Sequence, residues 1–173
     1  MEKIGGYPIA LNLAGSLLQK NKNYTYSSFL EQVEKDIIGT LDIIGSDKLG
    51  LQLYLYEEKM VTNLLTPLIA GLSVVQRKAI LYASLLPSDA VALPWIEELL
   101  NEDFPELLQT SGEKNFITEW DCIKLELFRV SIWIETENDQ LVRMHRLLQH
   151  VVIRGMKIDQ LVSKPGYLNP RFC

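Results

Sequence analysis

Residues 5–18, Gly-Gly-Tyr-Pro-Ile-Ala-Leu-Asn-Leu-Ala-Gly-Ser-Leu-Leu, carry no charged side chain. Pro8 suits the first turn of a helix, because its φ is fixed near the helical value and its missing N–H would have no partner there. From it, Ile9, Leu11, Leu13, Ala14, Leu17 and Leu18 cover most of the helix circumference. A helix apolar nearly all round has to be buried on several sides. The chain must therefore supply other helices to cover it, which points to a mainly α fold.

The rest of the chain supplies them. Ser28 and Glu31 have the spacing of a capping box ahead of Phe29, Leu30, Val33, Ile37 and Ile38, so a second helix is expected over about 28–39. Three glycines within 39–50 break the pattern, and a third helix is expected over roughly 56–71, with Met60, Val61, Leu64, Leu65, Leu68 and Ile69 at helical spacing. Pro67 lies inside it and is expected to kink or split it.

From Ser73 the character changes. Residues 73–90 read as a capped helix ending before Pro87, with Val74, Ala79, Ile80, Ala83 and Leu86 inward. Pro94 starts another helix, Phe104-Pro105-Glu106 a further one, and residues 120–133 continue helically. Residues 131–145 alternate apolar and polar well enough for two strands joined by Glu137-Asn138-Asp139-Gln140. Helix returns from His145 and stops at Gly155. Helices followed by a hairpin and a last helix outline a winged-helix domain. The expected division is a helical region over 1–72, a winged-helix region over 73–156 and an irregular tail over 157–173.

The chain of 173 residues is 47% hydrophobic and 23% charged, which is ordinary globular composition and enough to bury a core. Its net charge of −5, with no basic block, argues against nucleic acid as a partner, since phosphate contacts need clustered Lys and Arg. No apolar run is long enough to span a membrane, and the first residues do not read as a signal peptide. Cys122 and Cys173 are expected to be reduced thiols, in a cytoplasmic protein.

Motifs of catalysis are missing. There is no GxxxxGK[ST]; Gly45-Ser46-Asp47-Lys48-Leu49-Gly50 lacks the Gly-Lys-Ser/Thr end and reads as an interhelical loop. HExxH, CxxC and GxSxG are absent, and two histidines leave few general bases and no metal cluster. Glu97, Glu98, Glu102 and Asp103 read as a solvated face. His145 stands apart, because it falls where a strand gives way to a helix. A helix N-terminus presents unpaired N–H groups that attract phosphate oxygens, and an imidazole there adds a directed donor. The competing reading is a histidine that merely caps the helix.

Three segments together resemble the ARC region of NB-ARC proteins, the STAND class of signalling NTPases. "GGYPIAL" is similar to their GLPLAL motif, "AILYASLLPSDAVALPWIEELL" to the opening of their winged-helix subdomain in bacterial TPR-associated members, and "LVRMHRLLQHVV" to the segment carrying the MHD motif. The resemblance covers roughly residues 4–156. It implies a truncated helical-bundle subdomain followed by a winged-helix domain with a small β-hairpin. It also implies an ADP/ATP switch, with Pro8 packing on adenine, Gly6 letting the backbone come close, and His145 hydrogen-bonding the β-phosphate of ADP in a closed state. Exchange for ATP would release the winged-helix subdomain and permit homo-oligomerisation.

The departures are specific. The family's P-loop domain, Walker B acid and sensor arginine are not in this sequence, and Arg146 stands where the aspartate of MHD would be. The implied partner is the P-loop domain of a longer parent protein, of which this chain is either an excised piece or a remnant. No tight nucleotide binding and no catalysis by the chain alone are expected. The alternative reading is a winged-helix DNA-binding regulator, whose recognition helix would fall at or after Phe104–Leu108, in mostly acidic surroundings. A third is a helical adaptor.

Overall fold

The computed structural model describes residues 8–20, 25, 27, 28, 31, 49–105 and 118–155. In chain order these form α1 (Pro8–Lys20), α2 (Leu49–Ala70), α3 (Val74–Leu85), β1 (Val91–Ala92), α4 (Leu93–Asp103), α5 (Glu119–Arg129), β2 (Ile134–Glu135), β3 (Leu141–Arg143) and α6 (Arg146–Gly155). The fold is mainly helical with one small antiparallel sheet. The chain divides into two compact units, Met1–Ala70 and Gly71–Cys173.

In the first unit α1 packs on α2. Ile9, Ala10, Leu13, Ala14 and Leu17 of α1 are buried, as are Met60, Val61, Leu64, Leu65 and Leu68 of α2. Leu11 and Leu18, expected on the buried circumference, are only half-buried. α2 starts well before residue 56, taking Gly50 into its first turn, and Pro67 neither splits nor ends it. The proline is exposed and close to the C-terminus, so the bond it removes falls in the last turns while Leu64, Leu65 and Leu68 stay buried.

The cap expected at Ser28 lies at Thr25 instead. The Thr25 N–H donates to Ser28 Oγ at 3.2 Å and the Ser28 N–H to Thr25 Oγ1 at 3.2 Å, so Ser28 occupies the third helical position. A hydroxyl both donates and accepts, which lets serine take the place usually filled by Glu or Gln. Most of the helix expected over 28–39, the one expected from Phe104, and the tail 157–173 lie outside the described residues.

In the second unit α3 packs against α4, α5 and α6. Its start is fixed locally: Ser73 and Gln76 form a reciprocal capping box. Val75, Ala79, Ile80 and Ala83 face inward, whereas Val74 and Leu86 are only half-buried. Thr118 and Asp121 cap α5 in the same way. At its other end Ser131 takes φ 58°, and the N–H groups of Ser131 and Ile132 donate to the carbonyls of Phe128 and Leu127 at 2.9 and 3.1 Å. This paired arrangement stops the helix and turns the chain into the sheet.

The expected hairpin forms between β2 and β3, and a third strand, β1, joins it to give the order β1-β3-β2. Val142 pairs with Val91 on one side and Glu135 on the other. Two-residue β1 runs directly into α4, whose first N–H, on Leu93, donates to the Gln140 carbonyl at 3.0 Å. Trp133, just before β2, is buried and makes T-shaped ring contacts with Trp120 and Phe128, each at a centroid separation of 6.2 Å. Cys122 on α5 is disulfide-bonded, against the expectation of reduced thiols; the other cysteine, Cys173, lies outside the described residues.

Two stability outcomes follow from these elements. Gly15 sits exposed in the interior of α1 with open space where a Cβ would be. Gly15→Ala is expected to raise the unfolding free energy by about 0.5–1 kcal/mol in denaturant titration, because alanine has less backbone freedom to lose. Asp121 is held down to about 2 by a hydrogen bond from Lys124, then by the side chain and backbone of Thr118. A folded-state pKa below the unfolded one contributes stability above the unfolded value, near 4, and loses it as pH falls through the folded value. Denaturation midpoints of wild type and Asp121→Asn should therefore differ at neutral pH and converge toward pH 2.

Candidate functional site

Between the end of β3 and the start of α6 stand two residues, Met144 and His145. Met144 is only 1% exposed, and its N–H donates to the Ser88 carbonyl at 2.8 Å. The backbone immediately before His145 is thus pinned to the loop joining α3 to β1. With Met144 turned into the core, His145 is exposed.

His145 is the N-cap of α6. Its carbonyl accepts the Gln149 N–H at 3.1 Å, the first turn of the helix, and its Nδ1 accepts the Leu147 N–H at 3.2 Å. One of the donors that a helix start leaves unpaired is satisfied in this way. A nitrogen that accepts carries no proton, so the neutral ring holds its proton on Nε2. The ring therefore has one nitrogen tied to the helix and an outward N–H donor.

Arg146 completes the loop contact. Its Nε donates to Ser88 Oγ at 3.2 Å, and its guanidinium lies 3.5 Å from the Asp89 carboxylate, with both charged groups largely exposed. Such an ion pair in water contributes little by itself. The loop holding these partners is a turn closed by the Ala90 N–H on the Pro87 carbonyl at 3.2 Å. Ser88, Asp89 and Gln149 were not singled out from the sequence. Pro87-Ser88-Asp89 does carry turn chemistry, but nothing local says that the turn will meet residue 146.

Of the other candidate residues, Pro8 is the exposed first residue of α1, directly ahead of buried Ile9 and Ala10. It belongs to the first compact unit and His145 to the second. Gly6 lies outside the described residues. The two readings of His145 set out above, sensor and cap, are not exclusive: the side chain caps its helix and is exposed.

Among the described residues no cluster of His, Cys, Asp or Glu is arranged to hold a metal ion, and no helix is long and apolar enough to cross a membrane. No protein-family model matches the sequence, and comparisons with the curated proteins and with the solved structures find no match.

Because His145 caps α6, His145→Ala is expected to cost about 1 kcal/mol of stability, the usual size of a lost N-cap. Asparagine is a good cap, so His145→Asn should recover most of that loss. Thermal melts of the three proteins by circular dichroism check both statements.

Proposed function

We propose that the chain is the regulatory ARC portion of a STAND-class NTPase, a helical subdomain followed by a winged-helix subdomain, which helps hold ADP in a closed state. The observation that carries this reading is the fixed orientation of the His145 ring. With Nδ1 on the Leu147 N–H, the Nε2–H is presented beside a helix N-terminus, a setting suited to a phosphate oxygen. The order of elements in the second unit, with its sheet order β1-β3-β2, is compatible with a winged helix. Pro8, exposed at the head of α1, offers a rigid apolar face suited to a base.

In this reading the chain supplies one base contact and one phosphate contact. The P-loop domain of a parent protein supplies the remaining phosphate cradle. Nucleotide exchange would release the His145 contact and favour oligomers, because only the closed state uses it. The chain by itself is a switch component and not an enzyme.

The alternative, a DNA-binding regulator, fares worse on α5, the helix before the hairpin. Its Lys124 and Arg129 are held by Asp121 and Glu126 at 2.8 and 2.7 Å, and Glu119 adds a further acid. A face that tracks phosphates needs cations available to them.

Calorimetry at millimolar nucleotide should show weak or no binding of ADP by this chain, and micromolar affinity would overturn the division of labour proposed here. In a parent protein with its P-loop domain, His145→Asn keeps the cap, but its shorter side chain no longer carries a donor to the position of Nε2. It should speed release of a fluorescent ADP by about 5–150-fold, the equivalent of about 1–3 kcal/mol. Wild-type ADP retention would reduce His145 to a capping residue.

A further inference from the structure

The outer face of α4 is apolar and acidic at once. Trp95 and Leu99 are 60% and 37% exposed, while Leu93, Ile96 and Leu100 on the other side are buried. Glu98 and Glu102, both exposed, lie on the same face, since positions i, i+3, i+4 and i+7 of a helix are neighbours. No basic residue occurs anywhere on α4. The next acid, Asp103, is already engaged by Lys78 at 3.1 Å and by the Tyr82 hydroxyl. Glu98 and Glu102 have no ion-pair partner among the described residues. A solvated face explains the glutamates but not the tryptophan, whose large apolar surface stays in water although the core beneath is already filled.

We infer that this face is a docking site for a basic amphipathic helix of a partner protein. Such a helix lays its apolar stripe on Trp95 and Leu99 and places flanking Lys or Arg side chains against Glu98 and Glu102. An exposed tryptophan flanked by charged groups is the composition of a binding hot spot. Other occupants meet repulsion. A second copy docked by a two-fold axis sets the same glutamates against each other, and nucleic-acid phosphates or anionic headgroups face the same acids. The eleven residues of α4 extend about 16 Å, room for roughly three turns of a partner.

The test uses the whole chain and a leucine–lysine amphipathic peptide as probe, followed by tryptophan emission and by calorimetry. The peptide should bind with a blue shift, weakened by added salt. Trp95→Ala, Leu99→Ser and the Glu98→Lys, Glu102→Lys pair should each bind at least about tenfold more weakly, the loss expected for a hot-spot residue. All four positions are exposed, so unchanged melts are expected, and the two single variants check one another if either misfolds. Unchanged affinity in the variants would overturn the proposal. So would equal binding of a lysine–glutamine peptide of the same charge, which would show attraction without a docking surface. A dimer in sedimentation that Trp95→Ala dissolves would overturn it in favour of a second copy.

Discussion

The arrangement of the second unit depends on one side-chain amide. Gln149 is 9% exposed, and its Nε2 donates to the Ala83 carbonyl at 3.1 Å and the Leu86 carbonyl at 2.9 Å. These carbonyls lie at the end of α3, where backbone donors run short; the Ala83 carbonyl also takes the Leu86 N–H, at 3.3 Å. Buried and unpaired, such groups would cost about 1–3 kcal/mol each. A single residue of α6 therefore satisfies the end of α3 and, in doing so, fixes where α6 can lie. The apolar contacts of Leu148 and Val152, both fully buried, supply the bulk of the attraction. The amide supplies the register.

That register is what places His145. The residue is four positions before Gln149 and is bound to it through the first backbone bond of α6. On its other side Met144 is tied to Ser88, in the loop that follows α3. The imidazole is thus held from both directions by α3 and its exit loop, although no residue of α3 touches the ring nitrogens through any described bond. A residue placed in this way has its backbone fixed while its ring stays exposed. Arg146, standing where the family resemblance would place an aspartate, turns its guanidinium to Ser88 and Asp89.

The exposed apolar side chains tell a second story about where the surface is meant to be covered. The sequence requires cover for α1, because its apolar residues run nearly all round. In the second unit the large exposed apolar side chains, among the residues whose burial is described, are Leu85, Trp95, Leu99, Leu125, Ile134 and Ile153. α1 finds its cover in α2. On α4 the acids read as a solvated face are accompanied by an exposed tryptophan, which periodicity alone could not distinguish from a core residue.

What the sequence determined by itself is the set of structures closed by bonds within a few residues. The Ser73–Gln76 cap and the turn of the hairpin at Asn138 are of this kind, since each pairs groups two to five positions apart. Where local rules offered two solutions the choice was open: Thr25 with Ser28 won over Ser28 with Glu31, and the glycine at position 50 was absorbed into α2. Tertiary structure alone decided the rest. β1 is two residues long and has no periodicity to read; it exists because β3 offers an unpaired edge. Gln149 meets Ala83 across 66 positions and Arg146 meets Ser88 across 58. Such pairs are set by the packing of α6 on α3, and no spacing within either segment encodes them.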